Sequence, residues 1–488
     1  MFQVAMVNMG SLSVRAENVT THSLTVECGK ITLCLLQLGR YKTASDEKGR
    51  MRMTIDEALA QGGAGRFQKR LLGIFGLVWA ADAMQVIAVG FAAPSVAATF
   101  GLERAAALQI GTLFFLGMFV GAFVFGRVAD RWGRRNVLLL TVAADAVFGL
   151  ASVFAPSFEM LLVLRFLTGV AVGGTLPVDY ALMAEFLPPK NRGRWLVILE
   201  GFWAVGTIVV ALTAWIAASY GAAAPWRWIF LIAALPALIG VFLRLWVPES
   251  PMFLLKSGRG DEALRVVNRV LSANGSPTLP PDTPLTLVTP PEGAPQSMFA
   301  PGLFKRTVGI LAVWFLVSLS YYGVFVWVPG WLANEGMGWV RGYGFLVILA
   351  LAQVPGYALA AYGVERWGRR PTLMGFLLLS ALACFLFTLS MNPTLVAASL
   401  LIMSFALLGC WGALYAYTPE LYPTNLRGTG MGTASAVARL GGIFAPTLLT
   451  FAFAKGFGFA IGVFAALLVL AAVALLLVRT ETKDRAIG

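Results

Sequence analysis

The stretch DRWGRR, residues 130–135, holds four charged residues in six positions, although only 12% of the 488-residue chain is charged. Nearly the same stretch, ERWGRR, returns at residues 365–370. The surrounding sequence is strongly apolar, with 58% hydrophobic residues and a mean hydropathy of +0.77. Two related charged stretches therefore interrupt an otherwise apolar chain.

The apolar content exceeds what one or two soluble cores could bury, so the composition indicates a protein whose solvent is the lipid bilayer. The chain has 37 Lys and Arg against 24 Asp and Glu, a net charge of +13. These positive residues lie in short loops and form no continuous basic face, which argues against a nucleic-acid partner. Four scattered cysteines and the single histidine, His22, suggest no disulfide framework, metal site or nucleophilic site. We therefore expect neither an enzyme nor a cofactor.

Twelve apolar stretches from residue 70 onward are long enough to cross a bilayer as helices, which takes about 20 residues each. They lie at approximately residues 70–95, 107–128, 136–155, 159–184, 195–219, 227–247, 306–330, 343–364, 371–391, 394–417, 428–453 and 457–478. The sequence thus predicts an all-α membrane protein with 12 transmembrane helices.

Lysine and arginine are concentrated in the loops after the second, fourth, eighth and tenth of these stretches. By the positive-inside rule, these loops and both termini are expected to be cytoplasmic. Residues 1–65 are polar and mixed, which predicts a disordered leader, and Met51 and Met53 are candidate starts.

The remaining boundaries follow from a change of composition in the middle of the chain. Residues 249–305 end in a proline-rich segment and are predicted to form a cytoplasmic linker. The linker separates a helical unit at 66–248 from a second one at 306–480, and residues 481–488 form a cytoplasmic tail.

The two helical units are related by a repeat. Three pairs of motif residues share one offset, because 365 − 130, 420 − 185 and 427 − 192 each give 235: Asp130 with Glu365, Glu185 with Glu420, and Arg192 with Arg427. A constant offset without gaps indicates a six-helix unit that has been duplicated in parallel.

Several motifs together resemble the major facilitator superfamily. GRVADRWGRR (126–135) is similar to its signature loop, and RFLTGVAVGG with EFLPPKNRGR resembles its sugar-porter-like branch. PESPMFLL resembles that branch's PESPRWL, with Met252 and Phe253 in place of Arg and Trp. The resemblance implies two pseudo-symmetric six-helix bundles around a central cavity that opens alternately to each side. It also implies a monomer in the bacterial inner membrane.

The charged loop residues are expected to form a gate. A carboxylate beside arginines at a helix end forms charge-assisted hydrogen bonds and can neutralise a helix N-terminus in the other bundle. By family resemblance, one cytoplasmic network would stabilise the outward-facing state through Asp130, Arg134, Glu185, Arg192, Glu365, Arg369, Glu420 and Arg427. Each pair should contribute only about 1 kcal/mol because it is partly exposed to water.

Charged residues inside the apolar stretches are candidates for function, because each costs roughly 2.5–3.5 kcal/mol at mid-bilayer. In proton-coupled sugar porters, the positions that match Asp82 and Arg165 hold an acid and an arginine whose pairing depends on protonation. The resemblance implies that Asp82 and Arg165 couple protons to substrate movement, although a static ion pair remains an alternative. Asp145 and Asp179 are further intramembrane acids without an assigned role.

The substrate class is suggested by departures from the sugar porters. Glu200 stands where they carry a sugar-binding glutamine, and the seventh stretch lacks their QQxxGxN pattern. LEGFWAVG and YYGVFVWVP instead resemble the branch of the bacterial niacin transporters, the synaptic vesicle glycoprotein 2 proteins and the organic ion transporters. Within it the chain most resembles the niacin group, although Gln85 occupies the place of an expected second acid.

Arg439 lies about 18 Å of helix beyond Arg427, so it is well inside the membrane. The matching position is an arginine in the organic anion transporters of this branch, which favours an anionic substrate. The alternative is a structural partnership of Arg439 with Glu200 or Asp82. Five aromatic residues are expected to line the cavity: Trp203, Tyr321, Tyr322, Trp411 and Tyr415. The alternative for each is a role in helix packing alone.

The sequence therefore predicts a secondary transporter for a small aromatic or heterocyclic carboxylate, with nicotinate as the best single guess, and with protons as the coupling partner. The alternatives are an exporter or uniporter of organic ions, or a receptor or scaffold that kept the fold but not transport.

Overall fold

The computed structural model describes residues 53–190, 192–287, 295–327, 343–389, 392–423, 426–453 and 455–483. Most of the leader, with His22 and Met51, and the end of the tail lie outside these residues. The described part of the chain is built almost entirely from helices.

The first bundle contains six long helices. The chain enters it through the two-residue strand β1 (Met53–Thr54) and the short helix α1 (Ile55–Gly62). The long helices are α2 (Arg66–Phe100), α4 (Gln109–Trp132), α5 (Arg134–Val153), α6 (Phe158–Glu185), α7 (Arg192–Ser219) and α8 (Pro225–Arg244), with a one-turn helix α3 (Arg104–Ala107) before α4.

The linker and the second bundle follow. The linker holds α9 (Pro251–Lys256), α10 (Gly260–Ala273) and the strand β2 (Leu285–Thr286), which pairs in parallel with β1. The second bundle consists of α11 (Pro301–Tyr321) with a π-helical continuation at Tyr322–Trp327, α12 (Tyr343–Leu351), α13 (Gln353–Arg366), α14 (Arg369–Thr388), α15 (Pro393–Tyr417) with a 3₁₀ turn at Thr418–Leu421, α16 (Arg427–Phe453) and α17 (Phe457–Leu475).

Eleven candidate membrane spans occur among the described residues, the segment Gly344–Arg366 of α12 and α13 counting as one. The remaining long helix, α16, has 27 residues and occupies the place of the predicted eleventh span. Its small, polar and charged residues, Arg439 among them, make it less apolar than its neighbours. The structure therefore agrees with the predicted twelve-helix membrane fold.

Close helix packing inside the first bundle depends on small residues. A Cβ atom at Gly169 of α6 would lie 2.1 Å from the backbone oxygen of Phe114, and one at Gly173 would lie 2.1 Å from that of Met118. Only glycine lets α4 and α6 approach so closely, as is common between helices in membranes.

The two bundles meet along pairs of helices that correspond in the repeat. Helix α4 packs on α16, and α7 packs on α12, α13 and α15. At the first of these contacts, a Cβ at Gly442 would lie 2.6 Å from the ring of Phe115. These helices position the residues between the bundles.

The predicted disordered leader needs correction where the structure describes it. Residues 53–62 form β1 and α1 because Thr54 and Glu57 make reciprocal capping hydrogen bonds at the helix start, of 2.8 and 3.2 Å. The apolar face of α1, with Ile55, Ala58 and Leu59, is buried where α1 packs on α10. Burial of this face and the capping motif explain the ordered conformation.

Candidate functional site

A small cavity lies between the bundles. Its lining comprises Glu200 and Trp203 of α7, Tyr321, Tyr322, Tyr357 of α13, Leu408, Trp411 and Tyr415 of α15, and Arg439 of α16. All seven residues predicted from the sequence to bind substrate are in this lining. Sequence reasoning missed Tyr357 and Leu408, which stand in no motif that marks them.

Helical spacing explains why these side chains converge. Leu408, Trp411 and Tyr415 are three and four residues apart, which places them on one face of α15. Tyr321 and Tyr322 are adjacent, and both reach the cavity at the point where α11 changes to a π-helix. Single turns of π-helix often occur at functional sites, where they redirect side chains.

Two hydrogen bonds fix the polar wall of the cavity. The Nε1 atom of Trp203 donates to the hydroxyl of Tyr321 at 2.8 Å, which joins the first bundle to the second. The Nη1 atom of Arg439 donates to the hydroxyl of Tyr322 at 2.7 Å. Glu200, only 2% exposed, interacts electrostatically with Arg439, which is 3% exposed.

Three buried polar atoms of the lining have no hydrogen-bond partner. They are the acceptor Glu200 Oε1 and the donors Trp411 Nε1 and Arg439 Nε. A buried polar atom without a partner costs about 1–3 kcal/mol, and more when it is charged. A ligand with a carboxylate and a hydrogen-bond donor would satisfy all three.

Aromatic rings form the other walls. Behind the lining, Tyr180 and Trp314 pack against Tyr415, with ring centroids 5.1 and 4.8 Å from its own. Tyr321 and Trp411 meet edge to face with their centroids 5.9 Å apart. Such surfaces favour flat, aromatic ligands.

The cavity itself has a volume of about 20 Å³. Sites for small molecules measure roughly 300–1,000 Å³. The side chains therefore meet each other in this conformation, and the bundles or the rings must separate before a ligand of several atoms can enter.

The structure differs from the sequence prediction in the acid that faces Arg165. This arginine donates from Nη2 to Gln85 Oε1 at 2.9 Å, and its charge interacts with Asp145 of α5. Its guanidinium also lies 4.3 Å from the ring centroid of Phe230. Asp82, one turn before Gln85, instead interacts electrostatically with Arg439 of the other bundle. Asp145 thus interacts with Arg165, while Asp82 and Glu200 interact with Arg439.

Six of the eight predicted gate residues form two salt-bridge clusters. In the first bundle, Arg134 contacts Asp130 at 2.9 Å and Glu185 at 3.6 Å. In the second, Arg369 contacts Glu420 at 2.9 Å and Glu365 at 3.4 Å. Each of these four salt bridges lies inside its own bundle, so the network expected across both bundles is not made by these pairs and stays a prediction.

The second of these clusters also lies close to the first bundle, at the start of α7. A Cβ at Gly193, near the start of α7, would lie 3.4 Å from Arg369 Nη2 and 3.7 Å from both Glu365 Oε1 and Glu420 Oε1. The positive end of α7 thus faces the acids of the second bundle, which is favourable for the helix dipole.

Arg192 and Arg427 have partners that the sequence did not predict. Arg192 Nη2 bonds Asp56 of α1 at 2.8 Å, and Arg427 Nε donates to the backbone oxygen of Pro419 at 3.2 Å. Asp56 also interacts electrostatically with Arg427. The carboxylate of α1 thus lies near an arginine of each bundle.

Sequence reasoning also missed Glu249 and Glu481. Glu249 accepts hydrogen bonds from the backbone nitrogens of Arg134 and Arg135 at 3.1 and 3.2 Å, and so caps α5. Glu481 caps α14 in the same way, through Arg369 and Arg370 at 3.0 Å each. Both residues follow the last helix of their bundle. This equivalent position in the repeat is the sequence feature that could have predicted their shared role.

The repeated bundles, the midplane cavity and the charged loops are those of a transporter family. The sequence profile of the Major Facilitator Superfamily matches residues 74–446 and 337–488. The chain belongs to this superfamily. It is a multi-pass membrane transporter, and it is not an enzyme. Like other members, it carries a small-molecule substrate.

Two relatives and a solved structure agree with this assignment. The niacin transporter NiaP of Acinetobacter baylyi is 37% identical over 391 residues, which is 79% of this chain and 87% of that protein. The putative niacin/nicotinamide transporter NiaP of Bacillus subtilis is 34% identical over 420 residues, or 86% and 97%. The xylose transporter XylE from E. coli has the same fold, with a TM-score of 0.69 at 18% identity, covering 86% of this chain and 99% of XylE.

Proposed function

We propose that the protein is a secondary active transporter for a small aromatic or heterocyclic carboxylate, with nicotinate as the best candidate, and that it works by proton symport. It acts as a monomer in the bacterial inner membrane, with both termini cytoplasmic. The observation that carries this proposal is the group of partnerless polar atoms, Glu200 Oε1, Trp411 Nε1 and Arg439 Nε, in an aromatic cavity between the bundles.

The substrate assignment follows from complementary chemistry. A carboxylate would accept from Arg439 Nε and Trp411 Nε1, because guanidinium and carboxylate form strong charge-assisted hydrogen bonds. A flat ring would lie among Tyr321, Tyr415 and the indole of Trp411. A protonated ring nitrogen would donate to Glu200. A pyridine carboxylate presents all of these features, and the names of the two NiaP relatives, a niacin transporter and a putative niacin/nicotinamide transporter, are consistent with it.

Alternating access accounts for the small cavity. A volume of about 20 Å³ admits no substrate, so the lining has to open toward one side at a time. Helix α7 of the lining belongs to the first bundle, and α11, α13, α15 and α16 belong to the second. Rocking of one bundle against the other would therefore separate Trp203 from Tyr321 and open the site.

The electrostatic interaction of Asp82 with Arg439 suggests how protons couple to transport. When Asp82 is ionised, it competes with the substrate carboxylate for the same guanidinium. Protonation of Asp82 removes that competition and frees Arg439 for the substrate. Arg165 would contribute by keeping a positive charge near Gln85 and Asp145 in the same bundle.

Uptake into proteoliposomes tests the proposal. With a proton gradient directed inward, the protein should accumulate labelled nicotinate above its external concentration, and a protonophore should abolish the accumulation. Uptake that only equilibrates and ignores the gradient would indicate a uniporter. The absence of any nicotinate binding or flux in active, folded protein would reject the substrate assignment.

A further inference from the structure

A second cavity, of about 200 Å³, lies outside the transport pathway. It is formed by the first turns of α2, the segment that follows α8, and helix α10 of the linker. It shares no lining residue with the cavity between the bundles. Its position and chemistry therefore call for a separate explanation.

Three arginines line this cavity: Arg66 and Arg70 of α2 and Arg269 of α10. No acidic residue is part of the lining, and none of the three forms a salt bridge with a carboxylate of the described residues. Arg66 and Arg70 are four residues apart on one helix, a spacing at which like charges repel. An anion in the cavity would relieve this repulsion.

Trp246 holds two of the guanidiniums in place. The guanidinium carbon of Arg70 lies 4.7 Å from the centroid of its indole ring, and Arg269 Nη2 donates to its backbone oxygen at 3.3 Å. The side chain of Trp246 is itself 60% exposed. Arg70 and Arg269 are thus positioned by the same residue, and the charged groups are pre-organised.

The ends of the candidate spans place the cavity at the depth expected for the lipid headgroups. The apolar span of α2 begins within its first turns, and Trp246 comes just after the span of α8 ends at Phe242. An exposed tryptophan at the end of a span is typical of the membrane–water interface. Leu71 and Ile74, both buried, extend the wall from the arginines toward the apolar part of α2.

We infer that this cavity binds the phosphate headgroup of an anionic phospholipid, such as phosphatidylglycerol. The three guanidiniums match the oxygens of a phosphodiester, while Trp246, Leu71 and Ile74 accommodate the glycerol and the upper acyl chains. A free phosphate would make the contacts with the guanidiniums but none with Trp246, Leu71 and Ile74. A bound lipid would also tie α10 of the linker to α2.

Native mass spectrometry tests the inference on full-length protein released from nanodiscs. The nanodiscs contain equal amounts of dioleoylphosphatidylglycerol and dioleoylphosphatidylcholine. The wild type should retain one phosphatidylglycerol after the other lipids have been removed. The double variant R66Q/R269Q should lose this retention by at least tenfold, and R66K/R269K should keep part of it.

Arg265→Gln provides the matched control. Arg265 is exposed on the same helix, four residues before Arg269, and does not line the cavity. This variant should retain the lipid as the wild type does. Equal retention by the wild type and R66Q/R269Q, with all variants folded by thermal unfolding in detergent, would overturn the inference.

A competition experiment distinguishes the two sources of phosphate. Inorganic phosphate or glycerol 3-phosphate at millimolar concentration should not displace the retained lipid, because neither reaches the apolar wall. Complete displacement at those concentrations, or phosphatidylcholine retained as strongly as phosphatidylglycerol, would contradict a site for anionic lipid.

Discussion

Arg439 donates a hydrogen bond of 2.7 Å from Nη1 to the hydroxyl of Tyr322, deep between the two bundles. The Nε atom of the same guanidinium has no partner. Tyr322 thus orients the arginine while it leaves a charged donor free. This arrangement explains how a buried cation can be held in place and still be available to a substrate carboxylate.

Arg439→Gln should weaken nicotinate binding more than nicotinamide binding. A hydrogen bond to a charged group contributes about 1.5–3 kcal/mol, which corresponds to a loss of roughly 10- to 100-fold in affinity. Isothermal titration calorimetry in detergent would measure both affinities. Tyr322→Phe is the control that keeps the charge, and its loss should be smaller. Equal losses for the acid and the amide would contradict an anion site.

Glu200→Gln should reduce the preference for pyridine over benzene carboxylates. The free acceptor Glu200 Oε1 would pair with a protonated ring nitrogen, which benzoate lacks. We expect benzoate to bind unchanged or more tightly, while nicotinate weakens by about tenfold. Competition against labelled nicotinate would show this ratio. An unchanged ratio of the two affinities would exclude Glu200 from recognition of the ring.

Asp82→Asn should abolish accumulation driven by a proton gradient and spare exchange of nicotinate across the membrane. The neutral amide removes the electrostatic interaction of Asp82 with Arg439, so the substrate no longer needs a proton on this acid to enter. Asp145→Asn, which changes the acid facing Arg165, is the comparison. If accumulation survives in Asp82→Asn but is lost in Asp145→Asn, Asp145 and not Asp82 is the acid that couples protons to transport.

Asp56→Asn should favour opening of the charged side. Its carboxylate bonds Arg192 at 2.8 Å and interacts with Arg427 of the other bundle, so its removal leaves two arginines that repel each other. Hydrogen exchange at the starts of α7 and α16 should become faster. Asp261→Asn, at an exposed acid of the linker, should have no effect. Unchanged exchange in Asp56→Asn would show that α1 does not hold this side closed.

The fold was predictable because its signals are strong and repeated. Apolar stretches of membrane length, a constant offset of 235 between paired motifs and the Arg-rich loops all reflect constraints that act along the sequence. The cavity residues Glu200 and Arg439 were predictable for a related reason, since charge inside a span is costly and therefore conspicuous.

Pairing between helices was harder to predict. Asp82 and Gln85 lie three residues apart on α2, yet one interacts with Arg439 and the other bonds Arg165. The partner of each depends on how α2 is rotated against α6 and α16, which no pattern along the chain specifies. The cap residues Glu249 and Glu481 were missed because they act on helices more than 100 residues away in sequence.

A structure of the protein with nicotinate bound tests the central claim most directly. We expect ligand density in the cavity between the bundles, with the carboxylate at hydrogen-bond distance from Arg439 Nε and the ring among Tyr321, Trp411 and Tyr415. A nicotinate bound elsewhere, or in this cavity with its carboxylate directed away from Arg439, would contradict it.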